Sequence, residues 1–151
     1  MLNKKLSLVL ILVALLTFVP ACGGKKIKTE GVTGTVTLDG QPLPYATVYF
    51  IPAEGNGHEA SGVTNENGEY KLQTLLGKAD AGTTPGKYLV KFDCYEDYET
   101  GRTSKDEDGN DIPEIESRSI IPSRYNDPKT SGFEAEVASG SNRFDFDLRS
   151  K

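Results

Sequence analysis

An all-β domain, built as two antiparallel sheets packed into a sandwich, is the fold that this sequence predicts from three observations. Short segments of strict apolar/polar alternation recur between residues 31 and 148, and that period of two belongs to half-buried strands. Turn-forming residues separate them: Asp39-Gly40, Asn65-Glu66-Asn67-Gly68 and Gly140-Ser141. No stretch after the first two dozen residues has a helical period. About seven such strands suit a sandwich.

Taken in order, Val32, Gly34, Val36 and Leu38 alternate with Thr33, Thr35 and Thr37, a first strand rich in β-branched residues. Asp39-Gly40 supplies a turn, and Pro42 and Pro44 are expected to stay out of the hydrogen-bond ladder. Residues 45–51 form the next strand, with Ala46, Val48 and Phe50 on the core face; Pro52 closes it. Beyond a polar Gly/Asn loop, residues 60–64 and the run carrying Tyr70, Leu72 and Thr74 are expected as a hairpin across Asn65–Gly68. Residues 75–85 read as a loop. Gly86 opens the longest strand, with Tyr88, Val90, Phe92 and Cys94 facing inward. Residues 96–119 are charged and nearly devoid of aliphatic side chains, and read as an acidic loop insertion of the functional or disordered kind. Two final strands carry Phe133, Ala135 and Val137, then Phe144, Phe146 and Leu148; Gly140-Ser141 is expected to join them as a hairpin.

The N-terminus has a separate logic. Lys4 and Lys5 precede an unbroken apolar run of about 13 residues, which is the plan of a secretory signal and shorter than the ~20 residues of a spanning helix. Val19-Pro20-Ala21-Cys22 resembles the lipobox of bacterial lipoproteins, although Pro20 stands where a small or hydroxyl residue is usual. The resemblance implies a leader over residues 1–21, a diacylglyceryl group on the Cys22 thiol, and a membrane anchor strengthened by about 0.8 kcal/mol per buried CH₂. Ordinary secretion with an incidental cysteine is the alternative. Residues 22–30 then form a flexible tether bearing Lys25, Lys26 and Lys28, and residues 31–151 the sandwich.

Loss of the leader removes Lys4 and Lys5, so 17 basic residues against 22 acidic become 15 against 22. That balance excludes the basic footprint of a nucleic-acid binder. Of two cysteines, an acylated Cys22 leaves Cys94 without a partner, so no intrachain disulfide staples the fold. Stability falls to the hydrophobic core. Cys94 itself reads as a small buried hydrophobe.

Gly34-Thr35-Val36-Thr37-Leu38-Asp39-Gly40-Gln41-Pro42-Leu43, then Ala46-Thr47-Val48, Thr64-Asn65-Glu66-Asn67-Gly68-Glu69-Tyr70 and Pro85-Gly86-Lys87-Tyr88, resemble the carboxypeptidase regulatory-like domain, a small transthyretin-like (prealbumin-like) sandwich. The tail, with Ile121-Pro122-Ser123-Arg124-Tyr125-Asn126-Asp127-Pro128 and Asn142-Arg143-Phe144-Asp145-Phe146-Asp147-Leu148, is similar to small bacterial lipoproteins built on that domain. These motifs are turns and core positions, so the resemblance implies a fold and says little of activity. The hydroxyisourate hydrolase of the same fold class carries several histidines and a C-terminal Tyr-Arg-Gly-Ser. This chain has one histidine, His58, and ends Asp147-Leu148-Arg149-Ser150-Lys151. No catalytic residue carries over.

The chemical candidates are few. His58 has no metal-ligand or nucleophile partner at motif spacing and reads as an exposed, inert side chain. Asp106, Asp108 and Asn110 have the alternate spacing that offers oxygen ligands to Ca²⁺, but Gly109 sits fourth and Asp111 sixth, and Ser117 stands twelfth where an EF-hand needs glutamate. A plain Asp-Gly turn is the competing reading, and no cofactor is expected. Tyr95 and Tyr98 at the start of the acidic insertion are candidates for stacking on a sugar or anchoring a protein. The expectation is therefore a non-catalytic, membrane-anchored envelope lipoprotein that presents loops, chiefly 96–119, to a protein partner. Binding of a glycan or cell-wall polymer through tyrosines and edge carboxylates is the alternative.

Overall fold

Alternation in the first segment becomes β1 (Val32–Leu38), with Val32, Gly34 and Val36 buried and the threonines between them half-buried. The structure, a computed structural model, describes residues 28–55, 57–74 and 82–151. The expected leader, Cys22, most of the tether and most of the 75–85 loop lie outside the described residues. Asp39 and Gly40, at φ 51° and 80°, turn β1 into β2 (Gln41–Pro42) with Leu38 opposite Gln41 and Thr37 opposite Pro42. Two positive φ angles make a two-residue hairpin whose twist matches the strands. Pro42, expected outside the ladder, belongs to it; among the described residues β2 pairs with β1 alone, and an edge strand tolerates a missing N–H.

The first sheet is centred on β1. It pairs antiparallel with β2 and β5 (Glu69–Lys71), and parallel with β11 (Asn142–Arg143) and β12 (Phe146–Leu148). The second sheet is antiparallel throughout, in the order β10 (Phe133–Val137), β7 (Gly86–Asp93), β3 (Thr47–Pro52), β4 (Ala60–Val63), β6 (Gln73–Thr74). Its inward faces are those the alternation predicts: Val48 and Phe50, Tyr88, Val90 and Phe92, Ala135 and Val137 are all buried. Facing them from the first sheet are Val32, Val36, Tyr70, Phe146 and Leu148. Phe146 ties the layers, its ring 5.2 Å from Phe92, 5.3 Å from Phe133 and 6.2 Å from Phe50. The protein is an all-β sandwich.

Three expectations need correction. Gly140-Ser141 does not join a hairpin: β10 belongs to the second sheet, whereas β11 and β12 lie along β1 in the first. The last segment therefore runs parallel to β1, and the sandwich is not antiparallel throughout. Asn142 holds this crossover by accepting from the Ala138 N–H and donating to the Ala138 carbonyl, both at 2.9 Å. Likewise, the Asn65–Gly68 turn leads from β4 in one sheet to β5 in the other, and the chain then crosses back so that Gln73–Thr74 pair with β4 as β6. A turn dipeptide specifies that the chain reverses; burial of the following apolar face specifies which sheet receives it.

The third correction concerns residues 96–119. They are not a structureless loop but most of a two-stranded antiparallel ribbon, β8 (Tyr95–Lys105) and β9 (Asp111–Ser119). Among the described residues, its strands pair only with each other. Both faces meet solvent, so no face needs an apolar row and the sequence shows none. Cross-strand ion pairs and a tight tip turn hold the register instead. Only Cys94 separates β7 from β8, with the Ile120 N–H donating to its carbonyl, so the ribbon prolongs a strand rooted in the core.

Candidate functional site

Every binding residue that the sequence nominates among the described residues sits on this ribbon, but not in one place. Opposite residues of an antiparallel pair share a face, and the register therefore sorts the side chains. One face carries Glu96 opposite Arg118 and Tyr98 opposite Glu116. Its charges are paired internally. The Arg118 guanidinium meets Glu96 Oε1 at 2.6 Å and lies 5.3 Å from the Tyr98 ring centre. Arg102 bridges Glu114 and Glu116, each at 2.7 Å. The Tyr98 hydroxyl donates to Glu116 Oε2 at 2.9 Å, and that bond to a carboxylate raises the phenol's pKa.

The other face carries Tyr95 opposite Ser119, Asp97 opposite Ser117 and Glu99 opposite Ile115. Ser117 donates to Asp97. Tyr95 and Ile115 are 59% and 55% exposed, the more open of the ribbon's large apolar side chains. Tyr95 and Tyr98, three residues apart, thus point to opposite sides and form no common stacking platform. The register changes between Glu99 and Thr103, around Gly101 at φ 77°. A β-bulge of this kind bends a strand and ends regular pairing.

Asp106, Asp108 and Asn110 lie at the ribbon's far end. Asp106 is turned onto its own loop: Oδ1 accepts from the N–H groups of Asp108 (3.0 Å) and Asn110 (2.8 Å), and Oδ2 from the Asn110 amide (3.0 Å). Those bonds, that of the Asn110 side chain foremost, hold the Asp106 carboxyl below the usual aspartate range. Gly109, at φ 83°, completes the turn. Asp106 to Asn110 thus forms a tight turn, and no group of three or more His, Cys, Asp or Glu side chains suited to a metal occurs among the described residues.

Elsewhere, His58 is half-buried, where the sequence suggested full exposure. Its main chain is fastened, the N–H donating to Thr84 Oγ1 at 3.3 Å and the carbonyl accepting from Thr83 Oγ1 at 2.8 Å. Cys94 is buried as expected; burial, reinforced by the Glu96 charge, pushes its thiol pKa up, the reverse of what a nucleophile needs. One feature that sequence reasoning missed is an open cleft of about 570 Å³ where residues 69–73 cross between sheets, lined by Thr33, Asn65, Glu69, Lys71, Gln73 and Arg143 among others. Gly34 and Gly62 flank it. Only the sheet-to-sheet crossing brings these residues together, and no local signal could have found them.

No family model matches the chain, and no curated protein matches it. Among solved structures, a 9R-lipoxygenase from Cyanothece PCC8801 aligns at 12% identity and a TM-score of 0.36, over 81% of this chain and 16% of that one. The chain thus spans about a sixth of that protein's length. An overlap this loose carries no argument about either fold or function.

Proposed function

We propose that this chain is a non-catalytic lipoprotein of the bacterial cell envelope, a carboxypeptidase regulatory-like sandwich anchored by lipid on Cys22, that offers its β8–β9 ribbon to a protein partner. The observation that carries the reading is the ribbon itself. A two-stranded hairpin is at best marginally stable alone in water, yet β8 continues a core strand out of the sandwich for 11 residues, about 35 Å at 3.3 Å each. Among the described residues its strands pair only with each other and are almost wholly exposed, so they add nothing to the sandwich core. Contact with something outside the chain accounts for it. The non-catalytic part of the reading rests on a buried, hard-to-ionise Cys94 and on a lone histidine with no matching base or nucleophile in its motif.

In-cell crosslinking of the tagged full-length chain, read by mass spectrometry beside a Cys22→Ala control, tests both halves. Crosslinks from residues 95–119 to one protein, lost with the anchor, are expected. Crosslinks confined to the sandwich would remove the ribbon from the account. A Cys22→Ala chain that remains in the membrane fraction would remove the lipid. A second reading, binding of a glycan or wall polymer, is favoured by the polar cleft at the sheet crossing, whose Asn65, Glu69, Gln73 and Arg143 offer planar hydrogen-bonding groups. Saturable binding on a glycan panel that is lost in Arg143→Ala would support it.

A further inference from the structure

The ribbon has open edges. Alternate residues of each strand direct N–H and C=O groups away from the partner strand, and such an edge is a template for another strand. The two edges differ. β9 contains Pro113, which has no N–H to give, and the basic Arg118. β8 over residues 95–99 reads Tyr-Glu-Asp-Tyr-Glu: no proline, no cation, three carboxylates, and the exposed Tyr95. The bulge after Glu99 ends this regular stretch. From the open edge of β8 and its charge, we infer that a Lys/Arg-rich, extended segment of a partner protein adds as a third strand along residues 95–99. The inference rests on the proposed function and names the chemistry of its partner.

Charge selects the occupant. Residues 95–119 hold nine acidic and three basic side chains, a net of −6, whereas the whole chain carries −5. Without Lys4 and Lys5 of the expected leader the chain carries −7, and the ribbon holds most of it. A second copy would set one −6 ribbon against another, and anionic lipid or a phosphate-rich polymer would meet the same repulsion. A basic strand instead gains main-chain hydrogen bonds from the edge and finds Asp97 and Glu99 on one face, while Glu96 on the other is already paired with Arg118. With alternating cationic and apolar side chains, its cations share the face of Asp97, Glu99 and Tyr95 and its apolar side chains the face of the Tyr98 ring. Both tyrosines thus serve without forming a common platform.

The test uses the full chain in detergent and three nine-residue peptides: alternating Lys and Val, alternating Glu and Val, and the Lys/Val peptide with alternate amides N-methylated. Saturable binding of the Lys/Val peptide is expected, weakening with salt, with slowed amide hydrogen exchange at residues 95–99. The Glu/Val peptide should not bind. N-methylation, and separately the exposed-site variant Glu99→Lys, should each weaken binding about tenfold or more, as the loss of a main-chain or charge contact predicts. Equal binding of the N-methylated peptide would reduce the contact to charge alone and overturn strand addition. Absence of binding, or a ribbon-dependent dimer of the free chain in sedimentation, would overturn it as well. Ribbon crosslinks in cells with no peptide binding would sink this inference and leave the proposed function standing; crosslinks absent from the ribbon would remove both.

Discussion

A Cβ on Gly34 would stand 1.7 Å from the Phe144 carbonyl oxygen and 2.8 Å from the Tyr70 ring. Backbone cannot yield that much, so Gly34→Ala should cost about 3 kcal/mol or more, or prevent folding. Tyr70→Phe, at the same contact, removes one hydrogen bond of 2.8 Å to the Phe144 carbonyl and should cost about 1 kcal/mol. Urea denaturation of the two variants reads the difference; comparable losses would mean that β1 can move away from the last segment. A second residue-scale device is electrostatic. Asp145 accepts from the Thr35 hydroxyl (2.7 Å) and N–H (2.8 Å), and Asp147 from the Thr37 hydroxyl (2.7 Å). These bonds, led by the threonine hydroxyls, lower both carboxyl pKa values despite some desolvation. A depressed folded-state value stabilises the protein above the unfolded pKa and is lost as pH falls through the folded one. Stability should therefore decline below about pH 4, and the double variant Thr35→Val, Thr37→Val should flatten that acid limb. An unchanged limb in chemical denaturation from pH 5 to 2 would assign the decline to other carboxyls.

At the scale of elements, the ribbon is set apart by its energetics. Its ion pairs are exposed, and exposed pairs contribute about 0–1 kcal/mol each at most. The sandwich should consequently lose little when it is removed. Tyr95 and Ser119 are directly opposed, so replacing residues 96–118 with Asn-Gly leaves a two-residue hairpin of favoured geometry. Unfolding free energy should stay within about 1 kcal/mol of the full chain, with thermal denaturation still a single transition. A much larger loss would make the ribbon part of the cooperative unit. The same separation explains why these strands were hidden in the sequence. Periodicity reports burial, and a strand exposed on both faces has no burial to report.

Across the whole molecule, the two sheets are coupled through one aromatic cluster. Phe146 belongs to the first sheet but meets Phe50, Phe92 and Phe133 of the second, and Tyr70 of its own at 6.3 Å. Phe146→Ala should cost about 3–5 kcal/mol, the range for an aromatic removed from a packed core. Because the ring spans both layers, the loss should lower the melting temperature of both sheets together; a variant in which one sheet's amides alone lose protection would indicate weaker coupling. Charge is also distributed at this scale. Residues 31–94 and 120–151 carry nine basic against twelve acidic side chains, a net of −3, whereas the much shorter ribbon carries −6, a division that composition for the chain as a whole averages away.

Alternation determined the all-β class, the seven core strand segments and nearly every inward-facing residue, from Val32 to Leu148, because the period of two is a local consequence of burying one face. The Asp39-Gly40 hairpin and the burial of Cys94 were equally readable, the first from φ preference and the second from the alternation of its strand. Tertiary structure alone decided which sheet receives residues 69–74 and 142–148, and hence the parallel pairing of β12 with β1 and the cleft beside Gly34 and Gly62. It also decided that residues 95–119 pair with each other, with Tyr95 and Tyr98 on opposite faces and Asp106 at the far tip. Pairing partners are distant in sequence, and the free energy that selects among them comes from packing between layers and from cross-strand charge, neither of which a local pattern contains.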